Sequence, residues 1–454
     1  MTATTAAWAA APAAAGRRIP LTRAYRFELV KLLSQWRLRL LILASWAVPA
    51  ALVSESSRQS SLPSDTVFGR WMHATGWAGS LVVLGFAGTY ALPLLTSVVA
   101  GDVFAAEDRL GTWRHLLVAI RSPRRIFAAK ALASLTIIVV MMAGLACSSA
   151  AGVLVVGNRP LIGLDGHVLA PADAASKVLL AWLCALAPTL AFAAIGLLGS
   201  VTLGRSPMGL LLPALVALAM DGAQILPLPV AVRVALPSYG FIAWRGLFTG
   251  PPQLGPLLVA IAVSLVWAVV ATGLAFWLFV RRDFTSVADD GLVRRTLAVG
   301  VLPLAALFAL TVAVLALAAP ATRGSGIEQG KLQRSVATAF AHLYVMQAQQ
   351  LHRPSVTEAQ LRVGASCDKN GGLAEPSGPG NGWRCVATWH VPGVVNAVGQ
   401  AIYQLAVTSD GRYIADGDGP AQVNGYFLVR TPTGVASNPL WQFDGTVDLL
   451  ATKG

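Results

Sequence analysis

Residues 107–130 read EDRLGTWRHLLVAIRSPRRIFAAK and stand between two long apolar runs. The fold turns on whether this polar stretch is the surface of a soluble domain or a loop joining membrane spans. The flanking runs, roughly 76–99 and 128–157, each reach the ~20 apolar residues that a helix needs to cross a bilayer. Composition points the same way. The 454-residue chain is 55% hydrophobic and 12% charged, with mean hydropathy +0.63, whereas a typical soluble domain carries roughly 25% charge. An integral membrane protein is expected.

Working outward, seven spans are expected at 38–54, 76–99, 128–157, 176–203, 207–226, 254–280 and 296–318, with a tight break at 204–207. Residues 227–253 are half-apolar and split by prolines, which suits a re-entrant or interfacial segment. Residues 1–320 carry 24 Lys/Arg against 12 Asp/Glu, while 321–454 carry 10 against 9. Such an imbalance in a membrane part is topological, because positive loops stay in the cytoplasm, and no nucleic-acid partner is expected. With the N-terminus inside, segments 1–39, 101–130, 204–206 and 281–295 hold 18 basic residues, and the opposite loops hold 6. Seven spans then place residues 321–454 outside the cytoplasm of a multi-pass protein of the cell membrane. A disulfide between Cys367 and Cys385 can form there, and Cys147 and Cys184 read as small apolar residues within spans.

Residues 1–19 are expected to be a disordered cytoplasmic lead, not a cleaved signal. Leu21, Tyr25, Leu29, Leu32, Trp36 and Leu40 then form one helical stripe, with Arg23, Arg26 and Arg37 on the far side. Such a helix lies in the membrane interface and meets anionic lipid. Trp71, His73 and Trp77 read as an interfacial aromatic belt. In the tail, 327–351 is an amphipathic helix. WRCVATWHV, AIYQLAVTSDGRYIADG and GYFLVRT alternate like strands, with Ser-Asp-Gly as a hairpin turn. A small α+β domain follows, 321–454, pinned by the disulfide.

Within 107–130, acids come early and bases late, which favours a short helix through its dipole. Glu107, Gly111, Thr112, Leu116, Leu117, Ser122, Arg124, Ile126 and Lys130 stand in the pattern E-x-x-x-G-T-x-x-x-L-L, a polar turn, then I-x-x-x-K. At these residues the chain resembles the permease subunits of ABC-2 type ATP-binding-cassette exporters. It departs from their pattern at Ile120, where proline is common, and at Pro123, commonly arginine. The resemblance covers about 20–285, a six-span core; the seventh span, 286–320, and the exterior domain are additions. It implies that 101–130 is a coupling segment seated on a separate ATPase through Glu107, Asp108, Arg109, Gly111, Thr112, Trp113 and Arg114. Arg121, Arg124 and Arg125 would meet lipid phosphates. ATP and magnesium would belong to that partner, so this chain is not itself an enzyme and binds no cofactor. It further implies a homodimer or paired permease, and export of an amphipathic or lipid-like substrate.

Other signals are weaker. GSGIEQGKL, 324–332, lacks the Ser/Thr after Lys331 that a phosphate loop needs. Asp221 and Tyr239 are candidate pathway residues, Asp221 being an acid at membrane depth. Asp410, Asp416 and Asp418 lack the closing Glu of a calcium loop, and no Cys/His cluster suggests a metal. The alternative function is a non-transporting sensor or scaffold whose tail meets an envelope ligand or partner.

Overall fold

The structure, a computed structural model, describes residues 19–58, 75–203, 208–282, 293–432 and 434–451. Residues 1–18 of the expected lead, Trp71, His73 and the 204–207 break lie outside these.

Helix α1 (Leu21–Ser34) ends at Gln35, whose backbone turns to an extended conformation before α2 (Trp36–Arg58). Helix α3 (Gly76–Phe86) begins where the Thr75 side chain accepts hydrogen bonds from the Trp77 and Ala78 amides, which otherwise have no partner within the helix. It runs through a π-helical turn, Ala87–Ala91, into α4 (Leu92–Leu110). Gly111, at φ +66°, ends α4 in the left-handed conformation that glycine adopts without cost. The short α5 (Trp113–Ile120) follows, then α6 (Pro123–Ala150), started by a proline at its first position. A two-residue hairpin, β1 (Leu161–Ile162) with β2 (Val168–Leu169), precedes α7 (Pro171–Cys184) and α8 (Leu186–Leu203). Then come α9 (Met208–Ile225), α10 (Leu254–Val280) and α11 (Val293–Ala318).

Among the described residues six helices, counting continuous runs, are long and apolar enough to cross a membrane: Trp36–Arg58, Gly76–Leu110, Pro123–Val156, Pro171–Leu203, Leu254–Val280 and Gly300–Ala318. The remaining expected span, 207–226, appears as α9, whose apolar part, Ala214–Ile225, is shorter. Close helix approach explains several glycines. A Cβ on Gly79 or Gly152 would overlap the Val53 side chain, and one on Gly144 would overlap Trp46. Inside the bundle, Ser80 and Ser149 hydroxyls lie 2.9 Å apart and the Trp182 indole donates to Ser80 at 3.0 Å. These buried polar groups satisfy one another in surroundings that offer them no water.

Residues 227–253 form short turns of helix, Val230–Val234, Pro237–Tyr239, Gly240–Ala243 and Trp244–Phe248, tucked into one end of the bundle. Phe241 stacks on Phe192 of α8 at 5.7 Å and lies against Gly88 in the π-helical turn. The Trp267 indole of α10 donates to the Ala235 carbonyl at 3.0 Å.

The C-terminal region is an α+β unit. Helix α12 (Gln329–Gln350) packs on an antiparallel sheet of order β3–β4–β5–β6–β9, with strands Gly364–Lys369, Gly380–His390, Val398–Val407, Arg412–Gly417 and Gln442–Thr446. A separate hairpin pairs β7 (Leu428–Thr431) with β8 (Gly434–Ser437). Cys367 and Cys385 are directly opposite each other on β3 and β4 and are joined by a disulfide. Phe340 of α12, Tyr403 and Phe443 fill the space between helix and sheet.

Candidate functional site at the α4–α5–α6 end

The end of the bundle away from the C-terminal domain gathers most of the residues that the sequence singles out. Glu107 closes α4 and is 1% exposed. Its carboxylate takes a hydrogen bond from Lys130 of α6 at 2.7 Å, and others from Lys31 of α1 and the Thr112 hydroxyl. Lys130 also donates to Glu28 of α1 at 2.9 Å. Two carboxylates and two ammonium groups from α1, α4 and α6 thus compensate one another, which is the condition for keeping such charges out of water. Thr112 adds a backbone bond, its amide donating to the Glu107 carbonyl at 3.2 Å. The pattern E-x-x-x-G-T is therefore a local turn: Gly111 reverses the chain and Thr112 ties it back to Glu107.

A second set of bonds fixes α5 to the far end of α10. Asp108 accepts from both terminal nitrogens of Arg282 at 2.9 and 2.7 Å, the fork geometry in which guanidinium and carboxylate match best. It also accepts from the Trp113 indole at 2.7 Å. Trp113 is 7% exposed and sits among rings, 5.4 Å from Phe279 and 6.2 Å from Phe104. Phe104 in turn lies 5.4 Å from Phe127. Helix α5 is thereby wedged between α4, α6 and α10.

The outward side of α5 is different. Leu110 and Val118 are 63% and 68% exposed, and Arg109, Gly111, Arg114, His115 and Ala119 are exposed with them, as is Arg121. Arg114, His115, Val118 and Ala119 recur at the three- and four-residue spacing of one helix face. The seven residues assigned to docking divide accordingly. Arg109, Gly111 and Arg114 face out; Glu107 and Trp113 face in; Asp108 and Thr112 are half-buried and bonded inward. The outward residues that sequence reasoning missed are Leu110 and Val118. Large apolar side chains among polar ones, Leu110 at the end of α4 and Val118 on the polar face of α5, were the available signal.

The lipid-facing assignments also divide. Arg23, Arg26, Trp36, Arg37, Arg121 and Arg124 are exposed. Arg125 is half-buried and donates to the Ile19 carbonyl at 2.8 Å, tying the start of α1 to α6. Along the apolar stripe expected on α1, Tyr25, Leu29 and Leu32 are half-buried and Leu21, Trp36 and Leu40 are exposed. Ala24 and Glu28 are buried, and Trp36, 66% exposed, belongs to α2 because the helix breaks at Gln35. Glu28 pairs with Lys130 from this face, and the Tyr25 hydroxyl lies 3.0 Å from that of Thr136 on α6. Asp221 is half-buried on α9. Tyr239 is 4% exposed beneath the C-terminal domain, and burial pushes its phenol well above its ordinary pKa.

Among the described residues no group of three or more His, Cys, Asp or Glu side chains is placed to hold a metal. No protein-family model matches the chain, and no curated protein or solved structure matches it either. The architecture defines a polytopic helical protein of membrane-span dimensions carrying a disulfide-linked α+β domain.

Proposed function

We propose that the chain is the membrane-spanning permease subunit of an ATP-driven exporter of the ABC-2 type. The single observation that carries this reading is α5: a short helix between two spans, braced from behind at two independent points and bare in front. A load applied to the outward face would pass through Trp113 and Asp108 to α10, and through Glu107 and Lys130 to α1 and α6. That is the mechanical requirement for coupling an external ATPase to helix movement. The excess of basic residues at 101–130 and 281–295 supports a cytoplasmic position for this end, with the disulfide-linked domain outside. ATP and magnesium would reside on the partner subunit. Two such chains, or this one with a second permease, would face a pair of ATPases. An amphipathic or lipid-like cargo belongs to the same reading.

The test is co-purification in detergent with an ABC ATPase expressed from the same source. The double variant Arg114→Glu, Val118→Asp alters only exposed positions and should keep its thermal stability while losing the ATPase. An ATPase that binds wild type and variant alike, or neither, would favour the sensor or scaffold alternative, in which the membrane part presents the C-terminal domain.

A further inference from the structure

At the opposite end of the bundle, the turn between β5 and β6, Ser409–Gly411, reaches into residues 225–253 of the membrane part. Asp410 meets Arg245 at 2.6 Å and Arg412 at 3.1 Å. The Ser409 carbonyl accepts from Arg233, and the Ser409 hydroxyl donates to the Ile225 carbonyl at 3.0 Å. A cavity of about 30 Å³, lined by Tyr239, Arg245, Gln253, Asp410 and Arg412 among others, lies along this seam. The segment under the turn closes the bundle end: Phe241 presses on Gly88 and Phe192, and Gly240 comes so near Pro188 and Ser264 that a Cβ would lie 3.0 and 3.2 Å from them.

We infer that the Ser409–Gly411 turn is a latch which holds residues 230–248 as a plug in this end of the bundle, and that the end opens only when the turn withdraws. The docked state is strong at one point and weak at another. Asp410 and Arg245, 13% and 14% exposed at their side chains, form an ion pair largely removed from water. Arg233, 1% exposed, makes one bond to the turn, while its Nε and second terminal nitrogen reach no partner among the described residues. Withdrawal would break the ion pair and hydrate Arg233, so the two states oppose a gain with a gain. A contact balanced in this way suits reversible release better than permanent attachment. The inference concerns the plug alone and stands whether or not the α5 end binds an ATPase.

The experiment is amide hydrogen exchange on the full chain in detergent, read over residues 230–248, for Asp410→Asn, Arg245→Gln and the double variant. Each single variant should speed exchange by about tenfold or more, a charged hydrogen bond of this burial being involved. The double variant should exchange no faster than the faster single variant, because both break one contact. Amides of β4 and β5 should keep their protection, which separates release from unfolding of the domain. Should Asp410→Asn unfold the domain, Arg245→Gln, outside it, carries the test alone. Unchanged exchange over 230–248, or multiplicative acceleration in the double variant, would overturn the latch.

Discussion

Lys130 is the residue on which the α1–α4–α6 junction depends. It is 2% exposed and joins both Glu28 and Glu107. Lys130→Met leaves two buried carboxylates short of a partner and should lower stability by about 3–5 kcal/mol. Lys31, partly exposed at 32%, pairs with Glu107 from the edge, and Lys31→Met should cost about 1 kcal/mol or less. Thermal unfolding of the two variants in detergent, side by side, checks the contrast. Equal losses would mean that the cluster is not organised around Lys130. Asp410 gives a pH dependence of known sign. Burial alone would raise its carboxyl, but the Arg412 and Arg245 charges, with the Thr408 hydroxyl, hold it well below the usual carboxylate range. A carboxyl lowered in the folded state stabilises above its unfolded pKa of about 3.9 and loses that contribution as pH falls through the folded value. Exchange over 230–248 should therefore be flat from neutral pH to about 4, after allowance for the intrinsic rate, and the Asp410 contribution should fade only in stronger acid.

At the scale of elements, α5 has a packed face and a bare one. Trp113→Ala removes a buried ring from the cluster with Phe104 and Phe279 and should cost about 3–5 kcal/mol, measured as loss of thermal stability. Substitutions at Arg114 or Val118 should be near neutral for stability. Glycine placement, a local signal, located the turn at Gly111, whereas the acid-to-base order does not fall on α5: Glu107 and Asp108 end α4, and Arg124 and Arg125 begin α6. The sequence pattern did not separate the faces. Glu107 and Trp113 read as docking residues since a charge and an aromatic in a polar loop look available. Glu107 is held by Lys130, 23 residues on, Trp113 packs on Phe279, 166 residues on, and Asp108 between them is held by Arg282, 174 residues on; none of these leaves a mark on local periodicity. That Glu28 of α1 pairs with Lys130, 102 residues on, was hidden for the same reason. By contrast the tail strands were legible from alternation, and Ser409-Asp410-Gly411 from turn chemistry, although that the turn seats against Arg245 was not.

For the whole molecule, the two ends of the bundle are closed by different means: a charge cluster and aromatic wedge at the α5 end, and a plug under the C-terminal domain at the other. The domain's own integrity rests on its sheet, on α12 and on the bond between Cys367 and Cys385, 18 residues apart. Cys367→Ser with Cys385→Ser should destabilise the domain by about 2–4 kcal/mol through the freed unfolded chain. Proteolysis should then cut within 364–446 while the helical part stays membrane-inserted. Domain resistance equal to wild type would remove the bridge from the account of its stability.

The most direct measurement of the central claim is photo-crosslinking from position 118 in native membranes, with position 116 as a buried reference. Val118 is 68% and Leu116 8% exposed on the same short helix. A crosslinker at 118 is expected to capture a chain that mass spectrometry identifies as an ABC ATPase, and one at 116 to capture only this protein's own helices. Lipid adducts alone at 118, or the same products from both positions, would contradict it.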